Sequence, residues 1–471
     1  MLRNVDELVW RPATELAALI RSKQISPVEL TEAVLARIDA LNPRLNAFCL
    51  VAHDLARRGA REAEIAVTKA EPLGALHGVP LSIKDLIFTR GLRTTGGSRL
   101  FAEAVPDDDA VVVGRLRAAG AVILGKTTTS EFGHKAVTES PLFGITRNPW
   151  NLELSPGGSS GGAAVAVASG LGPVALGTDA GGSVRIPASF CGVYGFKPSR
   201  GRVPDTLGFP GYEHVNCPGP LARNVRDAAL VLDVIAGGDD RDRFSLPRES
   251  RPYVEACDEA IKGLHVAWAP DLGFGTVDPG VQAICENAAA EFEGLGCHVE
   301  VVNPGWDNPE ETFSTLIAAQ FYAHWSDQLP EAEKHLDPTL VRFIGRGAGV
   351  SARDYVLAQE RVKAYWAEIH AFLARFDLLL TPTVAVPPFA SGQAPPREIA
   401  GQRVSVLGWM PFTYLFNLTG QPAASVPAGV TDDARPIGLQ IVGRRHADRT
   451  VLAASAAYEA ACPWGDRRPP L

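Results

Sequence analysis

The sequence predicts an α/β protein, one large domain over residues 1–471 built on a parallel or mixed β-sheet, with packing helices over about 1–70 and the core over about 71–471. Three observations carry this. Helical and strand-like stretches alternate from 110 to 129 and again from 163 to 177, and 265–302 reads as strand, helix, strand. No linker, internal repeat or low-complexity tract divides the chain. With 471 residues, 46% hydrophobic and 21% charged, it has the composition of ordinary globular material and can bury roughly 75% of its unfolded surface.

The elements follow in order. Ser26-Pro27-Val28-Glu29 starts a helix: Ser26 can cap, Pro27 fits the first turn and Glu29 can close a capping box. Val28, Val34, Leu35, Ile38 and Leu41 form its apolar stripe, and Asn42-Pro43 marks its end. A second helix covers 54–67. The apolar, β-branched run 79–83 is a buried strand with Lys84 at its end, where a bland alternative pairs that lysine with Asp85. After a turn region at 91–97 come a helix at 110–119 and a strand at 121–124, then Gly125-Lys126-Thr127. Small residues at 163–169 suit a helix and 173–177 a short buried strand. Further on, 191–198 reads as a strand, 225–235 as a helix and 237–252 as a charged loop. The strands 265–268 and 297–302 flank a helix at 281–295, and 311–374 is mainly helical and rich in aromatics. A strand at 377–383, an irregular proline-rich stretch at 387–401, a strand at 437–443 and a helix at 448–461 complete the chain.

Several function classes are excluded or disfavoured. Net charge is −8 and no basic run could track a phosphate backbone, so nucleic acid is not expected as a partner. Seven scattered cysteines without a Cys-x-x-Cys pair or a ladder of ligand spacings suggest free thiols in a reducing compartment and no metal. Residues 1–7 lack the layout of a signal peptide, and no apolar run reaches the ~20 residues of a membrane span. A cytoplasmic protein without membrane contact is expected.

The chemistry concentrates in Ser155-Pro-Gly-Gly-Ser-Ser-Gly-Gly162 and Gly177-Thr-Asp-Ala-Gly-Gly-Ser-Val-Arg-Ile-Pro187, which put Ser159 and Ser183 twenty-four residues apart, each among glycines. Glycine runs let backbone N–H groups turn toward a ligand, as in an oxyanion hole. A phosphate loop fits poorly, since no Gly-Lys-Ser/Thr follows. Gly158-Ser-Ser160-Gly-Gly162 matches G-x-S-x-G with Ser160 as nucleophile, but the prolines at 149 and 156 spoil the strand such an elbow requires, and His214, His265 and His370 lie in no suggestive setting. Turn glycines alone account for one run but not for two.

Over nearly its whole length the chain resembles the amidase signature family. The resemblance rests on Gly157-Gly-Ser-Ser-Gly-Gly162, Gly177-Thr-Asp179, Gly181-Gly-Ser-Val-Arg185, Pro187 and Cys191-Gly192. Outlying matches are Gly78-Val-Pro-Leu-Ser-Ile-Lys-Asp85, Gly125-Lys-Thr127, Arg147-Asn-Pro-Trp150, Thr381-Pro-Thr383 and Pro436-Ile-Gly-Leu-Gln-Ile-Val-Gly443. It implies a central twisted mixed β-sheet with helices on both faces, and a hydrolase cleaving amide, aryl amide or carbamate C–N bonds of small molecules without metal or organic cofactor. It implies Ser183 as nucleophile, Ser159 as bridging serine on a cis peptide, Lys84 as base, and the amides of Ala180, Gly181, Gly182 and Ser183 as oxyanion hole. Ser160, Thr178, Asp179 and Arg185 match supporting positions, and Gly133 a position near the substrate acyl group. The physics agrees: no histidine lies in these motifs, and a lysine can act as base only when burial keeps it neutral.

The family also includes the A subunit of the tRNA-dependent amidotransferase, its glutaminase component. Lys126-Thr-Thr-Thr-Ser-Glu-Phe-Gly-His134 and Gly208-Phe-Pro-Gly-Tyr-Glu-His214 depart from the pattern of that component. With the aromatic-rich 313–372 region and Trp409-Met-Pro-Phe-Thr-Tyr-Leu-Phe416, they favour a free-standing hydrolase, monomer or homodimer, with an apolar, aromatic-lined pocket.

Overall fold

In the computed structural model, which describes residues 5–471, one sheet is built from eleven strands among the described residues: β1 (Phe48–Val51), β2 (Pro80–Lys84), β3 (Val122–Thr127), β4 (Val174–Asp179), β5 (Tyr194–Lys197), β6 (Cys217–Ala222), β7 (His265–Trp268), β8 (His298–Val301), β9 (Leu378–Pro382), β10 (Ala423–Val430) and β11 (Pro436–Gly443). Their order is β1-β3-β2-β4-β6-β5-β10-β11-β9-β7-β8. β2 runs parallel to both β3 and β4, β7 parallel to β8 and β9, and the other neighbours are antiparallel. The sheet is therefore mixed and flanked by helices, as the sequence predicts. Residues 1–4, on which part of the leader reading rests, lie outside the described residues. No helix among the described residues is long and apolar enough to cross a membrane.

Burial decides where the strands sit. Every residue of β2, β3, β4 and β6 is buried, as expected of strands covered on both faces. The Gly161–Ala168 helix, GGAAVAVA, is buried along its whole length and so needs no polar face. Its glycines explain the fit: a Cβ on Gly162 would come within 2.5 Å of the Ala47 carbonyl oxygen.

Several boundaries differ from expectation. The Pro27–Leu45 helix continues past Asn42-Pro43 and ends at Asn46 in the left-handed region. Pro43 costs the last turn one amide hydrogen bond without ending the helix there, and Asn42 Oδ1 accepts from the amides of Ala47 and Phe48 just beyond it. The capping box at its start is half made: Ser26 Oγ accepts from the amides of Val28 and Glu29 and donates to Glu64, while among the described residues the Ser26 amide makes no bond to the Glu29 carboxylate. The strand predicted at 191–198 is shorter, because Arg185–Cys191 forms a helix that delays β5 to residue 194.

β1, β6 and β10 are unpredicted strands. β6, CPGPLA, carries two prolines in the sheet interior: Pro218 and Pro220 stand opposite Thr178 and Leu176 of β4, while the shorter pairing with β5 reaches only Leu221 and Ala222. β10, AASVPAGV, hides behind small residues, a proline and a bulge between Pro427 and Gly429.

Candidate active site

The site grows from the C-terminal ends of two parallel neighbours, where open α/β sheets place their ligand crevices. The register Leu81↔Val174, Ser82↔Ala175, Ile83↔Leu176 brings Lys84 beside Thr178. Lys84, fully buried, donates from Nζ to Ser159 Oγ at 2.7 Å and to Thr178 Oγ1 at 3.0 Å. Burial lowers its pKa to about 7, against the opposing attraction of the Asp179 carboxylate. The alternative pairing of Lys84 with Asp85 is not made. Asp85 Oδ2 instead accepts from Thr95 N and Oγ1, at 3.1 and 2.5 Å.

Ser159 follows a cis Gly158–Ser159 peptide. Its loop is held by Thr138, whose Oγ1 donates to the Gly157 carbonyl at 2.8 Å and accepts from Gly161 N at 3.0 Å. Asn148 pins the flanks, donating from Nδ2 to the carbonyls of Ser155 at 3.1 Å and Phe190 at 2.8 Å. Ser160 ties the two serine loops together. Its hydroxyl donates to the Thr178 carbonyl at 3.1 Å and its amide to the Ser183 carbonyl at 3.1 Å.

Ser183 is half-buried and lines the same cavity as Ser159, Thr178, Ala180 and Gly133. Among the described residues its hydroxyl has no hydrogen-bond partner, so the Lys84–Ser159 link is formed and a Ser159–Ser183 link is not. Gly133 stands beside the bridging serine: a Cβ built on it would lie 3.2 Å from Ser159 Oγ.

The expected oxyanion cradle needs one correction. The Gly182 amide is committed to Asp179 Oδ1 at 2.7 Å, because a φ of 120° turns it inward. The amides of Ala180, Gly181 and Ser183 carry no protein partner among the described residues and remain as donors. Asp179 also accepts from Val184 N at 3.1 Å and from Arg185 Nε at 3.0 Å and Nη2 at 2.9 Å, a forked pair buried on both sides. Burial opposes ionisation of Asp179, but the charge and hydrogen bonds of Arg185 win and hold the carboxyl well below the usual range.

Sequence reasoning missed what holds Arg185. Its Nη1 donates to Gln440 Oε1 at 2.6 Å and the Thr413 carbonyl at 3.0 Å, and its Nη2 to Asn417 Oδ1 at 2.6 Å. Thr413 Oγ1 in turn donates to the Gly181 carbonyl at 2.6 Å. Gln440 lies within the 436–443 motif, which was the available signal; Thr413 lay in the 409–416 stretch read only as apolar lining, and Asn417 gave no signal.

The cavity measures about 530 Å³. Its aromatic lining comes from Phe132, Phe209, Tyr212 and Phe244, rather than from 313–372 and 409–416 as expected. The aromatics of 313–372 stand one layer behind: Trp325 stacks on Phe132 at 4.2 Å, and Phe321 meets Tyr212 edge-on at 5.1 Å.

Residues 29–452 match the family model described as Amidase. The chain is 42% identical to an acylamidase of Rhodococcus erythropolis, covering 98% of both chains. It is 37% identical to the 6-aminohexanoate-cyclic-dimer hydrolase of Paenarthrobacter ureafaciens, covering 98% of this chain and 97% of that one. A glutamyl-tRNA(Gln) amidotransferase component of Geotalea daltonii is 35% identical, covering 97% of this chain and 98% of its own length. The crystal structure of a bacterial aryl acylamidase of the amidase signature family superposes with a TM-score of 0.92 at 36% identity, covering 97% of each chain.

Proposed function

The chain belongs to the amidase family, and from that premise we propose that it is a free-standing amidase that opens acyl and aryl amides, or carbamates, through an acyl-enzyme on Ser183. As a member it hydrolyses C–N bonds of small-molecule amides. The observation that carries the proposed mechanism is the buried lysine amine, with a pKa near 7, 2.7 Å from the hydroxyl of Ser159.

In this reading neutral Lys84 takes the proton of Ser159 while Ser159 takes that of Ser183, whose oxygen attacks the carbonyl carbon. Catalytic hydrogen bonds are often completed only once substrate is seated, and the Ser159–Ser183 bond is of that kind. The amides of Ala180, Gly181 and Ser183 receive the developing oxyanion, and the relay then returns its proton to the departing amine. Water cleaves the acyl-enzyme by the same route. Asp179 and Arg185 keep the cradle in shape, and Gly133 leaves room for the acyl group. The enzyme works as one domain, monomer or homodimer, in the cytoplasm, with neither nucleic acid nor membrane as partner.

The acylamidase and aryl acylamidase likenesses support an acylated amine as substrate. Likeness to an amidotransferase component favours a second reading, a glutaminase that works within a larger assembly, against which the departures at 126–134 and 208–214 weigh. Purified chain alone, assayed on para-nitroanilides, aryl carbamates and glutamine, separates the two. Anilide or carbamate turnover is expected, with Ser183→Ala abolishing both turnover and covalent labelling by a fluorophosphonate. Labelling that persists on another serine refutes the nucleophile, and glutamine hydrolysis that needs added partner chains and tRNA refutes the free-standing reading.

A further inference from the structure

The cavity that holds the serines opens at a mouth built by residues 200–216 and 240–244. Two arginines there flank one ring: the guanidinium of Arg200 lies 4.8 Å from the Phe244 centroid and that of Arg243 4.7 Å. His214 meets the same ring edge-on at 5.1 Å, and its Nδ1 is 3.0 Å from Arg200 Nη2. A guanidinium only donates, so His214 accepts and is neutral there. Burial and the two neighbouring arginines lower its pKa accordingly.

Neither Arg200 nor Arg243 makes an ion pair among the described residues. Of the carboxylates that line the same mouth, Asp242 and Asp205 attract Arg200 without forming an ion pair with it, and Asp240 is exposed. Asp242 accepts from the amides of Asp205 at 3.0 Å and Phe244 at 2.9 Å, and Asp205 accepts from Asn216 at 3.0 Å. Glu213 pairs with His324 at 3.0 Å, and Arg241 is matched by Asp239. The mouth thus presents two arginines without carboxylate partners, one of them half-buried and braced by a ring and an imidazole, to the cavity that contains Ser183.

We propose that Arg200, backed by Arg243, binds a carboxylate on the part of the substrate remote from the scissile bond, so that this chain prefers amides carrying an anionic end over neutral amides of the same length. With one Nη2 proton given to His214, Arg200 keeps its remaining N–H groups for a two-pronged bond to carboxylate, and its contact with the Phe244 face fixes its plane in advance. Fewer rotamers are then frozen when the ligand arrives. The proposal rests on the reading that this cavity seats the substrate of Ser183.

Binding tests it without turnover. The full chain carrying Ser183→Ala is titrated by calorimetry at low salt with three anilides: pentanoyl para-nitroanilide, glutaryl para-nitroanilide with its carboxylate on the acyl side, and the pentanoyl amide of an amino-nitrobenzoate with its carboxylate on the amine side. At least one carboxylated ligand is expected to bind about tenfold more tightly than the neutral one, and which does so identifies the side that faces the mouth. Adding Arg200→Met should erase most of that advantage, and Arg200→Lys should restore part of it. Each ratio is taken on one preparation, so a loss of folded protein cancels. Equal affinity for all three ligands, or an advantage that survives Arg200→Met, overturns the proposal. Failure of the amidase reading appears separately, as wild-type chain that hydrolyses none of them.

Discussion

Lys84 shows how one residue acquires its chemistry from position alone. An ordinary lysine is charged at neutral pH and cannot accept a proton. At the end of β2 burial disfavours the ammonium, Asp179 favours it, and burial wins, leaving the amine half-protonated near pH 7. The sign of the pH dependence follows. The active form is the deprotonated one, so kcat/KM should rise with pH, reach half its plateau near 7 and stay level above it, in initial rates on a neutral anilide. Lys84→Met should lower kcat/KM by about 10² to 10⁴. A variant that keeps full activity, or a wild-type profile that falls through pH 7, removes the lysine from the mechanism. The triad positions were legible because the motifs fix residue types at set spacings. The commitment of the Gly182 amide to Asp179 was not, since a glycine run says nothing about which way each N–H turns.

At the scale of elements, the loop between β4 and the Arg185–Cys191 helix is shaped by glycine. Gly182 has φ 120°, and a Cβ there would lie 2.5 Å from Thr413 Oγ1 and 2.7 Å from Ile186 Cδ1. Gly182→Ala should therefore displace the loop and reduce kcat by about 10² or more, comparable with losing an oxyanion donor. Gly144→Ala is the control: its φ is 73°, but nothing lies within 4 Å of the added carbon. It should cost about 1 kcal/mol in denaturant unfolding and leave kcat near wild type. Equal effects of the two substitutions would show that strain alone, not the shape of the cradle, is being measured. Elements with strong periodicity or clear ends, such as the Val225–Ile235 helix and β11, were readable from sequence. β6 and β10 were not, because prolines and alanines mask them, and neither was the four-residue β1.

The whole molecule depends on long-range closure. β10 and β11, adjacent in sequence, lie in the middle of the sheet and join the β1–β6 half to β9, β7 and β8. Removing residues 421–471 should abolish soluble expression and fluorophosphonate labelling, although Lys84, Ser159 and Ser183 all remain. A soluble, labelled fragment would mean that residues 1–420 fold without β10 and β11. The α/β class could be read from alternation, but not the strand order, since no local pattern records that two late strands will insert into the middle of the sheet.

Gln440, on β11, holds the arginine that braces the oxyanion cradle. A chain emerging from the ribosome therefore carries its nucleophile long before it carries the strand that readies it. Hydrolytic competence waits for β11 to be made and paired, and a nascent polypeptide that stalls short of it stays chemically silent.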